Sequence, residues 1–408
     1  MIVARLSPDP YMLVPAAQTP YMHDRALLRH TSLRRYVERV DWSGFGAAVS
    51  LHAHTFHSRE GMSDIPAYIT KIPILGSRFE SEVDRRRGTD EAVDFSKGWW
   101  HPPISPRALF DSEAAQIDDR FGIRSIVSLT DHDEIAGGLE LQRWFAPERA
   151  PVSLEWTVPF RTGYFHLGVH GLPLPAADDW FARLSSFTAG ASRETLTDIL
   201  QALTAAGILV VFNHPLWDLA AVGGQNHDSA LRAFLDEYQS LLHAVEINGY
   251  RSWRENGGVR RLSVERGLPL ISGGDRHALA PNAVLNLTHA TTFAEFAAEV
   301  RDGASHVVIM PEYDEHLTAR VLASIADVLA SRRLPRAGLQ RWTDRVTCES
   351  EGTIRPLSHH WPGGGPLWAR AAVGTFRVIT TRPALRVWRA VLERVDRPPR
   401  VSPIPTTG

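Results

Sequence analysis

The stretch SLHAHTFHSREG, residues 50–61, starts at the end of an apolar run, Ala47 to Leu51, which is typical of a β-strand. His52 and His54 are two positions apart, and side chains at i and i+2 of a strand share one face. Both imidazoles can therefore reach a single ion. A His-x-His pair alone is common by chance, so its meaning depends on the rest of the chain.

Further histidine and carboxylate clusters follow other strand-like runs. They read TDHD at residues 130–133, LE at 154–155, FHLG at 165–168, NHP at 213–215 and GDRH at 274–277. Imidazole nitrogens and carboxylate oxygens are ligands of divalent metals. Parallel strands of a barrel bring their C-terminal ends to one face, so ligands at successive strand ends would share one site. The pattern predicts a multinuclear metallohydrolase.

The bulk composition excludes several other classes. The 408 residues are long enough for a single α/β barrel with a large core. The net charge of −2 argues against a generic polyanion binder, so a nucleic-acid partner is not expected. The single cysteine, Cys348, allows no intrachain disulfide and no zinc-thiolate site, which fits a reducing compartment.

Membrane attachment and secretion are not expected from the sequence. Residues 1–18 lack the basic lead of a signal peptide and carry an interrupting proline. No apolar run approaches the ~20 residues that span a bilayer. We therefore expect a cytoplasmic protein without a membrane partner.

Strand-like and helix-like segments alternate from about residue 45, which predicts βαβ units and a parallel α/β sheet. The repeated units favour closure into a barrel, and the lack of a Gly-x-Gly-x-x-Gly or P-loop motif after any strand disfavours a nucleotide-cofactor sheet. The predicted strands are Ala47 to Leu51, Ser125 to Leu129, Val152 to Trp156, Tyr164 to Val169, Ile208 to Phe212, Ala244 to Ile247, Leu268 to Ser272 and His306 to Met310. The predicted helices are Ala108 to Phe121, Glu194 to Ala206, Leu231 to Leu242 and Val259 to Gly267.

The predicted organisation is an N-terminal extension (1–44), a barrel (45–312) and a mainly helical C-terminal extension (313–408) with a disordered tail. Residues 61–106 form a long insertion after the first strand. A connection of this length is usually functional or mobile, and it leaves from the first histidine cluster, so we expect a lid over the site. A surface insertion with its own small core is the alternative. Helices are expected at Glu315 to Arg333 and Ala384 to Val395.

The clusters resemble, in order, the five motifs of the polymerase and histidinol phosphatase (PHP) family. Residues 50–61 resemble the first motif, 129–133 the second, 154–155 with 165–168 the third, 212–215 the fourth and 272–277 the last. The resemblance covers roughly residues 45 to 290. It implies a distorted (β/α)7-type barrel with two or three divalent ions at the strand ends.

The resemblance also implies a division of the ligands. One ion would be held by His52, His54, Glu155 and Asp275; Glu155 would bridge to a second ion on His166 and His214; a third would take Glu60, His132 and His277. The ions would be Mn²⁺, Zn²⁺ or Fe²⁺, among which these ligand types do not select. The chain departs from the family pattern in three places: Ser50 and Glu60 each stand where Asp is usual, and Gly273-Gly274 replaces Gly-Ser, which would give the ions more room.

The expected activity is that of a metal-dependent phosphoesterase cleaving a small phosphomonoester or phosphodiester through a metal-bound hydroxide. Paired ions lower the pKa of bound water from 15.7 towards ~7. Asp275 and His132 are expected to be essential, and His57 is a candidate proton donor or substrate contact. Three further candidates for substrate contact follow strand ends: Arg161, Arg251 and Asn248.

Other functions stay open. The same barrel could hydrolyse a carboxylic ester, a carbamate or an amide, or it could be a non-catalytic scaffold, although all nine expected ligand positions carry competent side chains. Proofreading exonuclease work is disfavoured because no basic stripe with interleaved aromatics is present. An amidohydrolase-type barrel would need a metal-bridging lysine, and the only lysines are Lys71 and Lys97. The oligomeric state is not predicted.

Overall fold

The computed structural model describes residues 31–38, 40–62, 94–334, 338–350 and 353–381, and positions 383, 384, 387 and 390. The described residues form a mixed α/β fold with three β-sheets. Three predictions fall largely on residues outside this set: most of the N-terminal extension, most of the 61–106 insertion, and the helix Ala384 to Val395 with the tail after it.

The first sheet contains the strand that precedes the first histidine pair. It is built from β1 (Thr31–Arg35), β2 (Ala47–Ser50), β5 (Arg124–Val127), β11 (Val284–Thr288) and β12 (Ser305–Ile309), in the order β1-β12-β11-β2-β5. The pairs β2–β5 and β1–β12 are parallel, whereas β11 runs antiparallel to both of its neighbours. Neither β1 nor β11 was among the predicted strands.

The second sheet carries most of the remaining histidine clusters. It is built from β6 (Val152–Phe160), β7 (Gly163–Leu172), β8 (Leu209–Phe212), β9 (Ala244–Asn248) and β10 (Leu270–Gly273), in the order β10-β9-β8-β7-β6. The three strands β8, β9 and β10 are parallel, but β7 is antiparallel to both β6 and β8. The expectation of a wholly parallel sheet was therefore wrong. Two residues separate β6 from β7, and a parallel crossover needs a dozen or more.

The two sheets are joined where the strands end. Isolated bridges pair Ala53 with Arg276 and His132 with Glu155. Further backbone hydrogen bonds connect the strand ends, among them the one that Gly274 N donates to Leu51 O at 2.8 Å. Regular ladders do not run through either junction, so the described strands form a mixed α/β arrangement that is not a closed barrel.

A third sheet, of four antiparallel strands, was not predicted. It contains β3 (Glu60–Gly61), β4 (Asp94–Trp100), β13 (Val346–Ser350) and β14 (Thr353–Pro356), in the order β14-β13-β4-β3. The C-terminal extension therefore contributes strands as well as helices, and these strands pair with the end of the insertion. A small cluster of buried residues packs beside the sheet, including Met62, Cys348 and Trp361.

Helices flank the sheets and begin where the sequence supplies a cap. Ser105 caps the helix after the insertion, and Thr195 forms a capping box with Asp198. The four helices predicted before residue 300 and the helix predicted at Glu315 to Arg333 are all present with shifted ends. The helices are α1 (Pro106–Phe121), α2 (Ala136–Leu141), α3 (Ala177–Thr188), α4 (Leu196–Ala205), α5 (Gly224–Tyr238), α6 (Trp253–Arg266), α7 (Phe293–Arg301), α8 (Leu317–Leu329), α9 (Trp342–Arg345), α10 (Leu357–His360) and α11 (Leu367–Ile379).

The largest hydrophobic core lies between the second sheet and the helices that cover it. Strands β6, β7 and β8 contribute alternate side chains such as Trp156 and Phe212, and α4 and α5 contribute Leu200 and Phe234. This packing fixes the strands whose ends carry the histidine clusters. Within the part of the chain that is described, no helix has both the length and the apolar character to cross a membrane.

Candidate metal centre

The structure brings all nine predicted metal ligands together at the junction of the first two sheets. Their ligand atoms form overlapping groups, and within each group the atoms lie within 4.8 Å of one another. The groups are His54, Glu60, His132 and His277; His52, Glu155 and His214; His52, His54 and Asp275; and His132, Glu155 and His166.

Unusual backbone conformations turn several of these side chains inwards. His52, His214 and Asp275 have φ angles of 63°, 27° and 53°. Such angles are uncommon for residues other than glycine and cluster at functional sites, where the surrounding structure must hold them. Hydrogen bonds between neighbouring strand ends do this here, with His54 N donating to Arg276 O at 2.7 Å and Arg276 N to His52 O at 3.3 Å.

Glu155 is the central carboxylate of the cluster and is fully buried. Its two oxygens face different imidazoles. Oε2 lies 3.0 Å from His52 Nε2, 3.2 Å from His132 Nδ1 and 3.5 Å from His54 Nε2. Oε1 lies 3.2 Å from His166 Nδ1 and 2.9 Å from His214 Nε2. Burial opposes the charged form, but the facing histidines, His52 foremost, hold the pKa of Glu155 well below its usual range. This geometry suits a carboxylate that bridges two cations.

Glu60 organises a second part of the cluster. Its Oε2 atom lies 3.0 Å from His277 Nε2 and 3.1 Å from His132 Nε2, and its Oε1 atom lies 3.5 Å from His54 Nδ1. His132 thus stands between Glu60 and Glu155. Burial opposes its charge, but these two carboxylates raise the pKa of His132 to about 10. The glutamate at this position therefore reaches the imidazoles, although the motif that it resembles usually has aspartate.

The chemistry of these residues fits divalent cations. Burial lowers the pKa of His54 to about 3 and also lowers that of His166, so both imidazoles are neutral. His54 Nε2 and His166 Nδ1 are buried without a hydrogen-bond partner, and an unpaired buried polar atom is costly. Both nitrogens face carboxylates, at 3.5 and 3.2 Å from Glu155. A cation between them would satisfy both types of ligand.

Sequence reasoning missed a carboxylate that orients the first histidine. Glu246 Oε2 lies 2.6 Å from His52 Nδ1, on the opposite side of the ring from Glu155. A carboxylate on the second nitrogen of a ligating histidine fixes its tautomer and raises its basicity. The available signal was a charged residue within the buried strand AVEIN, where Glu246 is only 2% exposed.

Asn248 was expected to line the pocket, but it is fully buried. Its amide donates to Glu246 Oε1 at 2.6 Å and to Asp275 Oδ2 at 3.1 Å. The side chain thus holds a predicted ligand in place and does not reach the open face of the site.

The two glycines before Asp275 make room for supporting side chains. A Cβ atom on Gly273 would lie 2.0 Å from Glu246 Oε2 and 2.9 Å from His52 Cβ. A Cβ atom on Gly274 would lie 2.7 Å from the Asn282 amide. The expectation that these glycines leave space for the ions was wrong, because the space is filled by Glu246, His52 and Asn282.

Asp131 and Asp133 support the second motif, as expected for residues that flank a ligand. Asp131 accepts hydrogen bonds from the backbone and the hydroxyl of Thr55, at 2.5 and 2.8 Å. Burial raises its pKa to about 7. Asp133 accepts from Thr157 N at 2.8 Å. Together they tie the loop around His132 to the strands that carry His54 and Glu155.

Two predicted functional residues are not brought into the ligand groups. His57 Nε2 lies 3.0 Å from Glu140 Oε2, and the ring is 17% exposed. Arg161 is exposed at the tip of the β6–β7 hairpin, where its Nη1 lies 3.5 Å from Ser229. It follows Glu155 by six positions, which is roughly 20 Å along an extended strand. Its guanidinium is therefore too far away to contact a substrate at Glu155.

Arg251, in contrast, lies at the edge of the cluster. Its Nη2 is 4.0 Å from Asp275 Oδ2, and its Nε is buried without a hydrogen-bond partner. The guanidinium stacks on Trp217 at 3.4 Å from the ring centre. Trp217 in turn packs edge-on against His214, with ring centres 5.2 Å apart. The guanidinium of Arg251, which has an unused N–H group, therefore borders the ligands. Trp217, which holds it, was not identified from the sequence.

The comparisons with known proteins give distant likenesses. No family model and no curated protein match the chain. Several solved structures resemble it, among them the following three. A two-domain protein from Bacteroides vulgatus contains a predicted PHP-like metal-dependent phosphoesterase; it is 12% identical over 67% of each chain, with a TM-score of 0.39. That is the family that the motifs resemble.

The other two structures are a protein from Bifidobacterium adolescentis assigned as a metal-dependent phosphoesterase and an amidohydrolase from Chromobacterium violaceum. The first is 16% identical and covers 50% of this chain and 92% of its own, with a TM-score of 0.31. The second is 18% identical and covers 43% of this chain and 84% of its own, with a TM-score of 0.32. Since these likenesses are distant, function must be inferred from the residues of the site.

Proposed function

We propose that this protein is a metal-dependent phosphoesterase that hydrolyses a small phosphomonoester or a short phosphodiester. The observation that carries the proposal is the position of Arg251 beside Asp275, at the edge of nine clustered metal ligands. Guanidinium groups match the charge and the geometry of phosphate oxygens. A site with side chains that can bind metal cations on one side and a fixed guanidinium on the other suits an anionic substrate.

The ligands are proposed to divide as the family resemblance implies. His52, His54, Glu155 and Asp275 would hold one ion, Glu155, His166 and His214 a second, and Glu60, His132 and His277 a third. Ions bound there, Mn²⁺, Zn²⁺ or Fe²⁺, would polarise the phosphate and lower the pKa of a bound water towards ~7. Asp275 and His132 are therefore proposed to be essential for turnover.

The surrounding residues prepare this arrangement. Glu155 would offset the repulsion between neighbouring cations, because its two oxygens face different sets of imidazoles. Glu246 fixes the ring of His52 from behind. Asn248 holds Asp275 Oδ2, which leaves Oδ1 directed at His52 Nε2 and His54 Nε2, 3.6 Å from each.

Arg251 is proposed to bind the phosphate, and Trp217 to hold its guanidinium plane in place. A neutral carboxylic ester, carbamate or amide would bring no anion to this cation and would gain nothing from it. The net charge of −2 does not favour a long polyanionic substrate. We therefore propose a small-molecule phosphate ester as the substrate, and the cytoplasm as the place where the protein acts.

The proposal is tested with a chromogenic panel of aryl phosphomonoester, aryl phosphodiester and aryl carboxylic ester on protein loaded with Mn²⁺ or Zn²⁺. We expect phosphate turnover, and its loss in Asp275→Asn. Arg251→Met should lower kcat/KM for the phosphate, whereas Arg161→Met, a matched change of an exposed arginine away from the ligands, should not. Turnover of the carboxylic ester alone would favour the esterase or amidase alternative. Metal binding with no turnover of any substrate would favour a scaffold.

A further inference from the structure

Unlike the other predicted ligands, Glu60 lies in the third sheet. It lies in the two-residue strand β3, which pairs with β4 through Glu60 and Trp100. Strand β4 pairs in turn with β13 of the C-terminal extension. The remaining ligands lie on or beside strands of the first two sheets, and among the described residues no strand of those sheets pairs with this third sheet.

Ser58 connects Glu60 to its neighbours in the cluster. Its hydroxyl donates to Glu60 Oε1 at 2.6 Å and accepts from His132 N at 3.0 Å. It also lies 3.3 Å from His54 Nδ1. The position of Ser58 therefore determines how the Glu60 carboxylate meets the imidazoles of His54 and His132.

His101, the first residue after β4, holds the backbone of Ser58. Trp99 Nε1 donates to His101 Nε2 at 3.2 Å, so the proton of the neutral ring is on Nδ1, which donates to Ser58 O at 2.7 Å. The backbone N–H of His101 donates to Arg345 O at 2.9 Å. A continuous set of hydrogen bonds thus runs from the C-terminal extension to the predicted ligand Glu60.

Arg345 anchors the far end of this set. It is fully buried, and its guanidinium donates to the carbonyl groups of Val328 and Ala330 at the end of α8, and to Leu339 O. Val346 and Cys348, both in β13, pack with Met62 in one buried cluster. The C-terminal extension is therefore built firmly onto the segment that carries Glu60.

We propose that the C-terminal extension is part of the metal centre. Through β13, β4 and the positioning residue His101, it controls the occupancy of the group formed by Glu60, His132 and His277, separately from the other groups. The inference rests on the metal binding in the proposed function and is independent of the substrate.

The test compares the number of bound ions in His101→Ala, His101→Asn and wild-type protein by elemental analysis after dialysis, and by the absorption of bound Co²⁺. We expect His101→Ala to bind one ion fewer per chain, or the last ion about 10–100-fold more weakly, because Ser58, the hydrogen-bonded partner of Glu60, loses its backbone support. The asparagine amide can replace the Nδ1 donor, so His101→Asn should restore the ion. His359→Ala, an exposed histidine of the same extension, is the control.

Ser58→Ala provides an independent variant, because it removes the hydroxyl that bonds both Glu60 Oε1 and His132 N, two residues of this group, and it should cause the same loss. Equal ion numbers and affinities in His101→Ala, Ser58→Ala and wild type would overturn the proposal. So would simultaneous loss of all ions with a lower melting temperature, which would show a merely structural role. A wild-type protein that binds only two ions but hydrolyses phosphate would refute the inference and leave the proposed function intact. Three bound ions without phosphate turnover would refute the proposed function and leave the inference intact.

Discussion

Gly273→Ala is the sharpest test of how the metal centre is supported. Gly273 ends β10, and the added methyl group would lie 2.0 Å from Glu246 Oε2 and 2.9 Å from His52 Cβ. Ordinary contact requires about 3.4 Å or more, so the Glu246 carboxylate must move by more than 1 Å. The displaced carboxylate would no longer reach His52 Nδ1, from which it lies 2.6 Å. The substitution thus disrupts the orientation of His52 without changing any ligand.

Two effects contribute to the expected magnitude. Overpacking of a buried site costs about 1–3 kcal/mol of folding stability. Loss of the carboxylate that supports a ligating histidine typically weakens metal affinity 10–100-fold, which corresponds to about 1.4–2.7 kcal/mol. We therefore expect the variant to fold with a lower melting temperature and to bind Zn²⁺ at least tenfold more weakly.

The assay is competition for Zn²⁺ with a chromogenic chelator, combined with thermal unfolding followed by circular dichroism. Gly257→Ala is the matched control, because this glycine lies in α6 and an added Cβ would approach only the end of Arg261, at 4.0 Å. The control should bind metal normally and be slightly more stable, since alanine favours a helix interior. Wild-type metal affinity in Gly273→Ala would refute the role given to Glu246 and to the glycine that accommodates it.

Three further predictions concern the ligands and their charges. Asp275→Asn and His132→Ala should each reduce turnover to background with an unchanged far-ultraviolet circular dichroism spectrum, and retained activity in either would contradict the proposed site. Glu246→Gln should weaken metal binding 10–100-fold by removing the charge behind His52; unchanged affinity in chelator competition would show that the charge is unimportant. In metal-free protein the carboxylates around His132 raise its pKa to about 10 against burial. Its charged form therefore stabilises the fold fully below the unfolded value near 6.5, and this contribution is lost as the pH rises through 10. Metal-free protein should accordingly lose melting temperature between pH 6.5 and 10, and protein with bound metal should lose less because the ions replace the proton; equal profiles would argue against metal binding at His132.

Most of the second sheet could be predicted because each strand is a short apolar run ending in a polar cluster. Val152 to Trp156 and Ala244 to Ile247 lie in strands of the structure, and Ile208 to Phe212 matches β8 to within one residue. The direction of β7 was not predicted, because the sequence does not show that β6 and β7 extend to within two residues of each other. The strand β1 was missed because TSLRR has a single apolar residue, and β11 because the apolar residues of VLNLT are interrupted by Asn286.

Supporting residues were harder to predict than ligands. His52, Glu155 and Asp275 belong to ordered motifs, so a local pattern identifies them. Glu246 and Trp217 have no motif, and their roles depend on contacts with residues far away in the chain, such as His52 and Arg251. Gly273 is meaningful only because Glu246 occupies the space beside it.

The sequence by itself determined the types of ligand, their order along the chain and the strands that they follow, since these depend on local periodicity and residue chemistry. Only the tertiary structure decided which side chains meet. It moved Arg161 away from the ligands, placed Arg251 beside Asp275, and paired Glu60 through β4 with strands from the C-terminal extension. Such long-range pairings depend on the packing of the whole chain and on strand register, neither of which leaves a signal in a short stretch of residues.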